Sequence, residues 1–508
     1  MAIIQTKVKN GEVRGIATEN PNVSVFYSIP YAAPPVGKNR WRSPQPAKDW
    51  QGVLHANKLP PAPMQGRGGN AANRDSFQKI GEVDEYIPMS EDCLYLNIWT
   101  PANEPGEKLP VAVSIFGGGS VRGYSCRSIY DGIKFAQNGV ILVTVNFRLN
   151  GFGFMQHPEL TKEDPVGAGN YGMMDIVAAI KWLKSNIASF GGDPERISIF
   201  GHSSGGVFAG ILTCSEMVRG DIFSAILQSG GGTGDNPKVW PLPIKQAEKF
   251  GERFFEFAGF SSLEQARAVP EDKLRDLLLD FERETNDTMR FKPCIDGFLL
   301  TDYLHVLQQQ GKNHDIPYII GCDGDETPPD RESKKPSSQE FVDQANAVYG
   351  KHAKEWIDIA RGQDEKEFMY KTRAYYKHSA VEAFGIVQNK NGRKDKTFCY
   401  VFDKPAPGST MGTTHGNLIA YQFVTLNHGQ IPFNGEDYDI AITFNKYFSN
   451  FFTYGNPNGK GELLPWKPYS QDCPMAMGFL KPGMRSTIKN DVTEFLTSFH
   501  TGLLGNSE

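Results

Sequence analysis

The chain has 508 residues, with 53 Lys plus Arg, 58 Asp plus Glu and a formal charge of −5. At 39% hydrophobic and 12% aromatic residues it carries enough apolar mass for a large core, which excludes disorder as its bulk state. The mild acidity leaves no electrostatic footprint for nucleic acid, and no apolar run approaches the roughly 20 residues that span a bilayer.

The first residues, Met1 to Gly11, hold no apolar h-region and no small-residue cleavage site, so no secretory signal is expected. Val8 to Val13 reads as a hairpin around an Asn10-Gly11 turn. Seven cysteines, at 93, 126, 214, 294, 322, 399 and 473, are scattered singly without Cys-x-x-Cys pairs or zinc spacing. Reduced, buried thiols in a cytoplasmic protein are the expectation, with no metal and no cofactor.

Along the chain, β-branched runs bounded by turn residues predict strands at Val111–Phe116, Val140–Val145, Ile197–Phe200, Ala225–Leu227, Ile319-Ile320 and Cys399–Phe402. Such near-continuous apolar runs fit strands covered on both faces of a parallel sheet. Between them, Ile176, Ala179, Ile180, Leu183 and Ile187 follow helical spacing up to Gly191-Gly192. Leu274, Leu277, Leu278 and Phe281 mark another helix, and Ile440 to Phe451 a late one stopped by Gly455-Asn456-Pro457. The alternation predicts a wound α/β fold, taken as one domain over 1–508, with loop-like insertions at Pro60–Ser90 and Thr327–Gln339.

The most informative segment is Ile197-Ser198-Ile199-Phe200-Gly201-His202-Ser203-Ser204-Gly205-Gly206, a strand running through Gly-x-Ser-x-Gly into an apolar helix. A sharp strand-to-helix turn presents the serine hydroxyl above the sheet, and the glycines let the two backbones close up. Ser203 is therefore the candidate nucleophile, and the N–H of Ser204 lies at a helix start suited to an oxyanion. Gly117-Gly118-Gly119-Ser120 follows the strand ending at Phe116, where a glycine run lets further N–H groups approach a ligand. No Gly-Lys-Ser/Thr follows it, which excludes a phosphate loop.

These residues resemble the type-B carboxylesterase family, the cholinesterase-like branch of the α/β-hydrolases. The resemblance runs nearly end to end. It is carried by Glu91-Asp92-Cys93-Leu94-Tyr95-Leu96-Asn97-Ile98-Trp99, Asn146-Phe147-Arg148-Leu149, Gly169-Asn170-Tyr171-Gly172, Phe190-Gly191-Gly192-Asp193-Pro194 and Gly455-Asn456-Pro457-Asn458. It implies an α/β-hydrolase fold with a large, mostly parallel sheet and a Ser-Glu-His triad of Ser203, Glu326 and His415. It further implies an oxyanion hole of Gly118, Gly119 and Ser204, a supporting hydroxyl at Ser229, and a buried ion pair between Glu91 and Arg148. Read from residues alone, Glu326 also fits a solvated acidic loop with Asp323, Asp325 and Asp330, one that lacks calcium-site spacing.

The chain departs from the family pattern in several places. No cysteine precedes Gln65 to pair with Cys93, and the second family disulfide, expected around 257–269, is missing; the Pro60–Ser90 loop is accordingly expected to be mobile. Val83 stands where cholinesterases carry a tryptophan, and His202 where most members carry an acid, so choline esters are not the expected substrate. His202 reads as a hydrogen-bonding wall residue, and Phe116, where many members have His or Tyr, as packing. The expected activity is hydrolysis of a small to medium, largely apolar carboxylic ester by a monomer or homodimer. A lactonase, amidase or acyl transferase would use the same acyl-enzyme, and a non-catalytic binding protein is the alternative of another class.

Overall fold

The structure, a computed structural model, describes the whole chain except residues 67–86, 235–240, 286–290, 327–337, 362–364, 471, 481, 488–489 and 503–508. Most of the Pro60–Ser90 loop, Val83 included, and nearly all of the Thr327–Gln339 insertion thus lie outside the described residues; Ser338 already begins a helix.

Among the described residues, eleven strands form the central sheet. In chain order they are β1 (Ile16–Ala17), β2 (Ser24–Pro30), β3 (Tyr95–Thr100), β4 (Leu109–Ile115), β5 (Ile141–Val145) and β6 (Gly192–His202). They continue with β7 (Ala225–Gln228), β8 (Tyr318–Asp323), β9 (Thr397–Phe402), β10 (Met475–Gly478) and β11 (Gly483–Ser486). The spatial order is β11-β10-β9-β8-β7-β6-β4-β5-β3-β2-β1. Strands β4 to β10 run parallel, and the edges close antiparallel. All six predicted strand runs fall in this parallel centre, where every residue of β5, β7, β8 and β9 is buried. The Asn10-Gly11 hairpin forms as read, pairing Gln5–Val8 with Gly11–Arg14.

The helices follow the same logic. Helix α1 (Tyr171–Asn186) packs on β6 and gives way to a 3-10 turn that ends at Gly191, in left-handed conformation at φ 83°. The late helix Gly435–Tyr454 starts on an Asn434/Asp437 capping box and stops at Gly455, also left-handed at φ 66°. A main apolar core spans the sheet and its flanking helices. A separate aromatic cluster around Tyr349, Trp356, Phe368 and Phe495 ties together helices from the second half of the chain.

Two buried ion pairs brace the signature segments, with partners other than the sequence reading gave. Glu91 pairs with Arg40 at 2.5 Å, and Arg148 pairs with Asp175 at 2.7 Å. The expected Glu91–Arg148 pair is thus replaced by two separate ones. Arg148 meets Asp175 through Nε, Nη2 and its own backbone N–H, a geometry open to a helix-borne carboxylate.

Candidate active site

Register fixes where the carboxyl ends of the central strands meet. Gly201 pairs with Ile115, His202 with Gln228, and Gln228 with Gly321, so β4, β6, β7 and β8 end side by side. In an open parallel sheet this rim is where ligands bind.

The turn after β6 is tight for a visible reason. A Cβ on Gly205 would sit 2.1 Å from the Ile115 carbonyl oxygen, and one on Gly201 would sit 2.5 Å from the backbone of Gly205. Only glycines let strand and helix backbones close this far. Between them Ser203 adopts φ 59° and ψ −126°, a strained conformation for a residue with a side chain, at the N-terminus of helix α2 (Ser204–Leu212). Its N–H donates to the Gln228 carbonyl at 2.8 Å, which ties the turn to β7.

The glycine run after β4 lies against this turn. A Cβ on Gly117 would meet the Ser203 Cβ at 3.1 Å. Gly118 (φ 129°) and Gly119 (φ 67°) bend the chain back, and the Ser120 N–H donates to the Ser204 hydroxyl at 3.3 Å. Phe116, buried at the strand end, stacks on Phe147 at 4.2 Å. A cavity of about 10 Å³ is lined by Ser114, Phe116, Gly201, His202 and Gln422.

The loop after β8 carries Glu326, buried and in left-handed conformation at φ 54°. It bridges to the 413–416 segment: the His415 N–H donates to the Glu326 carbonyl at 2.7 Å, and Nδ1 of His415 meets Glu326 Oε2 at 2.5 Å. Burial pushes the Glu326 carboxyl up, but the His415 charge and hydrogen bond, helped by Lys377 and the Ser229 hydroxyl, pull it down to about 2. Glu326 is therefore no member of a solvated acidic loop. Nor is Asp323, fully buried, which accepts hydrogen bonds from Gly416 N–H at 2.8 Å and Leu418 N–H at 3.2 Å. The role of Asp323 was invisible in sequence, where it read only as a neighbour of Glu326.

His202 and His415 face each other with ring centroids 4.5 Å apart. The structure thus gathers His202, Ser229, Asp323, Glu326 and His415 at one end of the sheet, with Ser203 following His202 on the turn. The Ser203 hydroxyl closes no hydrogen bond with the His415 ring among the described residues. Among the same residues, one group of metal-capable side chains stands out: His202, Asp323 and His415, with ligating atoms within 4.8 Å of one another. The seven thiols are free, six buried and Cys473 half-buried. No helix of the described residues is long and apolar enough to cross a membrane.

A mostly parallel α/β sheet with a strained serine between glycines, a glycine run beside it and a buried His–Glu pair defines a serine-hydrolase class of architecture. Comparison with known proteins narrows the class. A model of the carboxylesterase family matches residues 2–496, and the chain belongs to that family. It is 31% identical to the fumonisin B1 esterase of Sphingopyxis macrogoltabida, over 91% of this chain and 84% of that one. It is 30% identical to the liver carboxylesterase of Sus scrofa, over 91% and 86%. The acetylcholinesterase of Bungarus fasciatus is 28% identical over 93% and 82%. Among solved structures, a thermophilic PNB esterase superposes with a TM-score of 0.83 at 26% identity, covering 97% of this chain and 99% of that one. The fold is that of the α/β-hydrolase esterases, and the chain is a carboxylic ester hydrolase.

Proposed function

We propose that Ser203, His415 and Glu326 act as a catalytic triad on a small to medium, largely apolar carboxylic ester. The observation that carries this reading is the buried Glu326–His415 pair at 2.5 Å, held at the strand end beside the Ser203 turn. A carboxylate on Nδ1 fixes the tautomer that leaves Nε2 free to accept a proton.

In this mechanism Ser203 Oγ attacks the ester carbonyl while His415 takes its proton, and Glu326 stabilises the imidazolium. The N–H groups of Gly118, Gly119 and Ser204 stabilise the oxyanion of the tetrahedral intermediate. His415 then protonates the departing alkoxide, leaving an acyl-Ser203. Water repeats the sequence to release the acid. The open Ser203–His415 contact is compatible with a bond that tightens once substrate is bound. Ser229 steadies Glu326, and the whole of 1–508 serves as one catalytic domain.

The test is labelling with a fluorophosphonate probe. Wild type should label and Ser203→Ala should not. A folded wild type that fails to label refutes the reading. A series of p-nitrophenyl esters of increasing acyl length then measures the acyl pocket, with short to medium chains expected to be turned over fastest.

A further inference from the structure

The cluster beside the Ser203 turn holds more ligating groups than ester hydrolysis uses. His202 is 7% exposed, and its Nε2 makes no hydrogen bond. It stands 3.4 Å from Asp323 Oδ2, close enough to pair but too poorly aligned to bond. A buried imidazole nitrogen left unbonded beside a carboxylate asks for an explanation.

Distances supply one. Zinc binds imidazole nitrogen and carboxylate oxygen at about 2.0–2.2 Å in tetrahedral geometry, so neighbouring ligand atoms lie about 3.3 Å apart. The His202–Asp323 separation of 3.4 Å already equals that edge. The ligating atom of His415 is within 4.8 Å of both, so a side-chain movement of about 1.5 Å completes three ligands. Two imidazoles and one carboxylate suit zinc, cobalt, nickel or copper rather than calcium or magnesium. The hydrogen bonds from Gly416 and Leu418 to Asp323 hold its carboxylate in place as outer partners of a metal ligand do.

We propose that His202, Asp323 and His415 form a site for one divalent transition-metal ion, which inhibits ester hydrolysis by tying up the imidazole of His415. The inhibition rests on the reading of His415 as the base, whereas the binding does not.

The experiment uses the full chain freed of metal by chelation. Cobalt is added first, and its visible d–d absorption is recorded. Binding of one ion per chain, without the near-ultraviolet sulfur-to-cobalt band that Cys473 would give, is expected. Zinc is then titrated against p-nitrophenyl acetate hydrolysis and removed with EDTA. Inhibition should be complete and reversible, and His202→Gln should raise the inhibitory zinc concentration more than about 10- to 100-fold, since even partners of ligands are worth that much. Each variant is compared with its own zinc-free rate, and circular dichroism checks that it is folded. Should His202→Gln not fold, His202→Ser takes its place. Equal zinc sensitivity of wild type and the folded variant overturns the site, as does a wild type that gives no cobalt absorption. A wild type that binds cobalt but neither hydrolyses esters nor labels with the fluorophosphonate leaves the metal site standing and sinks the triad.

Discussion

Replacing Glu326 with Gln keeps the shape of the side chain and removes the charge that His415 Nδ1 faces at 2.5 Å. The size of the effect follows from the structure. Burial raises the Glu326 carboxyl, yet His415, Lys377 and Ser229 bring it from 4.5 to about 2. That difference corresponds to roughly 3 kcal/mol of net preference for the carboxylate, shared among His415, Lys377 and Ser229 against the cost of desolvation. In the proposed mechanism His415 gains its proton in the transition state, so its share of this attraction acts differentially. Losing up to roughly 3 kcal/mol lowers kcat by up to about 10². The amide also favours the wrong imidazole tautomer, which in serine-protease triads carries the loss to about 10⁴. Steady-state hydrolysis of p-nitrophenyl acetate should therefore show kcat down by about 10² to 10⁴ with KM little changed. A folded Glu326→Gln protein whose kcat stays within about tenfold of wild type refutes the reasoning.

Further outcomes follow from the same contacts. Because the folded Glu326 carboxyl lies below its ordinary 4.5, its contribution is fully present above pH 4.5 and is lost as the pH falls toward 2. Thermal melts of Glu326→Gln should accordingly lose less stability than wild type between about pH 5 and pH 3; parallel curves count against the coupling. An added Cβ at Gly119 has open space, its nearest neighbour being Val121 Cγ2 at 4.0 Å, whereas one at Gly118 would lie 2.0 Å from the Arg122 carbonyl oxygen. Gly119→Ala should melt within about 1–2 kcal/mol of wild type, the cost of its left-handed backbone, while Gly118→Ala must shift the loop and lose kcat by about 10² or more. Arg148→Met strands Asp175, which is fully buried, and should cost about 3–5 kcal/mol in urea unfolding. Arg148→Met with Asp175→Leu should recover most of that, and a double variant no better than the single one would mean the pair acts through something other than its charges.

The centre of the fold was legible because strands covered on both faces must be apolar throughout, and β5, β7, β8 and β9 are. The edges were not. Strand β1 is two exposed residues and β11 four mostly half-buried ones, so they carry no such run. The Ser203 turn was legible because only glycine fits at 201 and 205, and a backbone constraint of that kind writes itself into the sequence. Ion-pair choice does not. Arg40 and Arg148 are equivalent as letters, and only the packing of the chain between residues 40 and 175 decides that the first reaches Glu91 and the second Asp175.

The acidic loop after β8 shows why a charge run can mislead. As letters, Asp323, Asp325 and Glu326 read as a solvated turn. In the fold each carboxylate accepts a hydrogen bond from the segment that carries His415 or its ring. Asp325 takes the Thr413 N–H at 2.8 Å, Asp323 takes those of Gly416 and Leu418, and Glu326 takes the imidazole. Six residues of backbone, 413 to 418, are thereby held against four, 323 to 326, with a further bond from the His415 N–H to the Glu326 carbonyl. Such a clamp fixes the histidine on the sheet before any substrate arrives, so little of the ordering cost falls on the reaction. It also sets a buried carboxyl group beside His202, whose Nε2 lies 3.4 Å from Asp323 Oδ2 and makes no hydrogen bond.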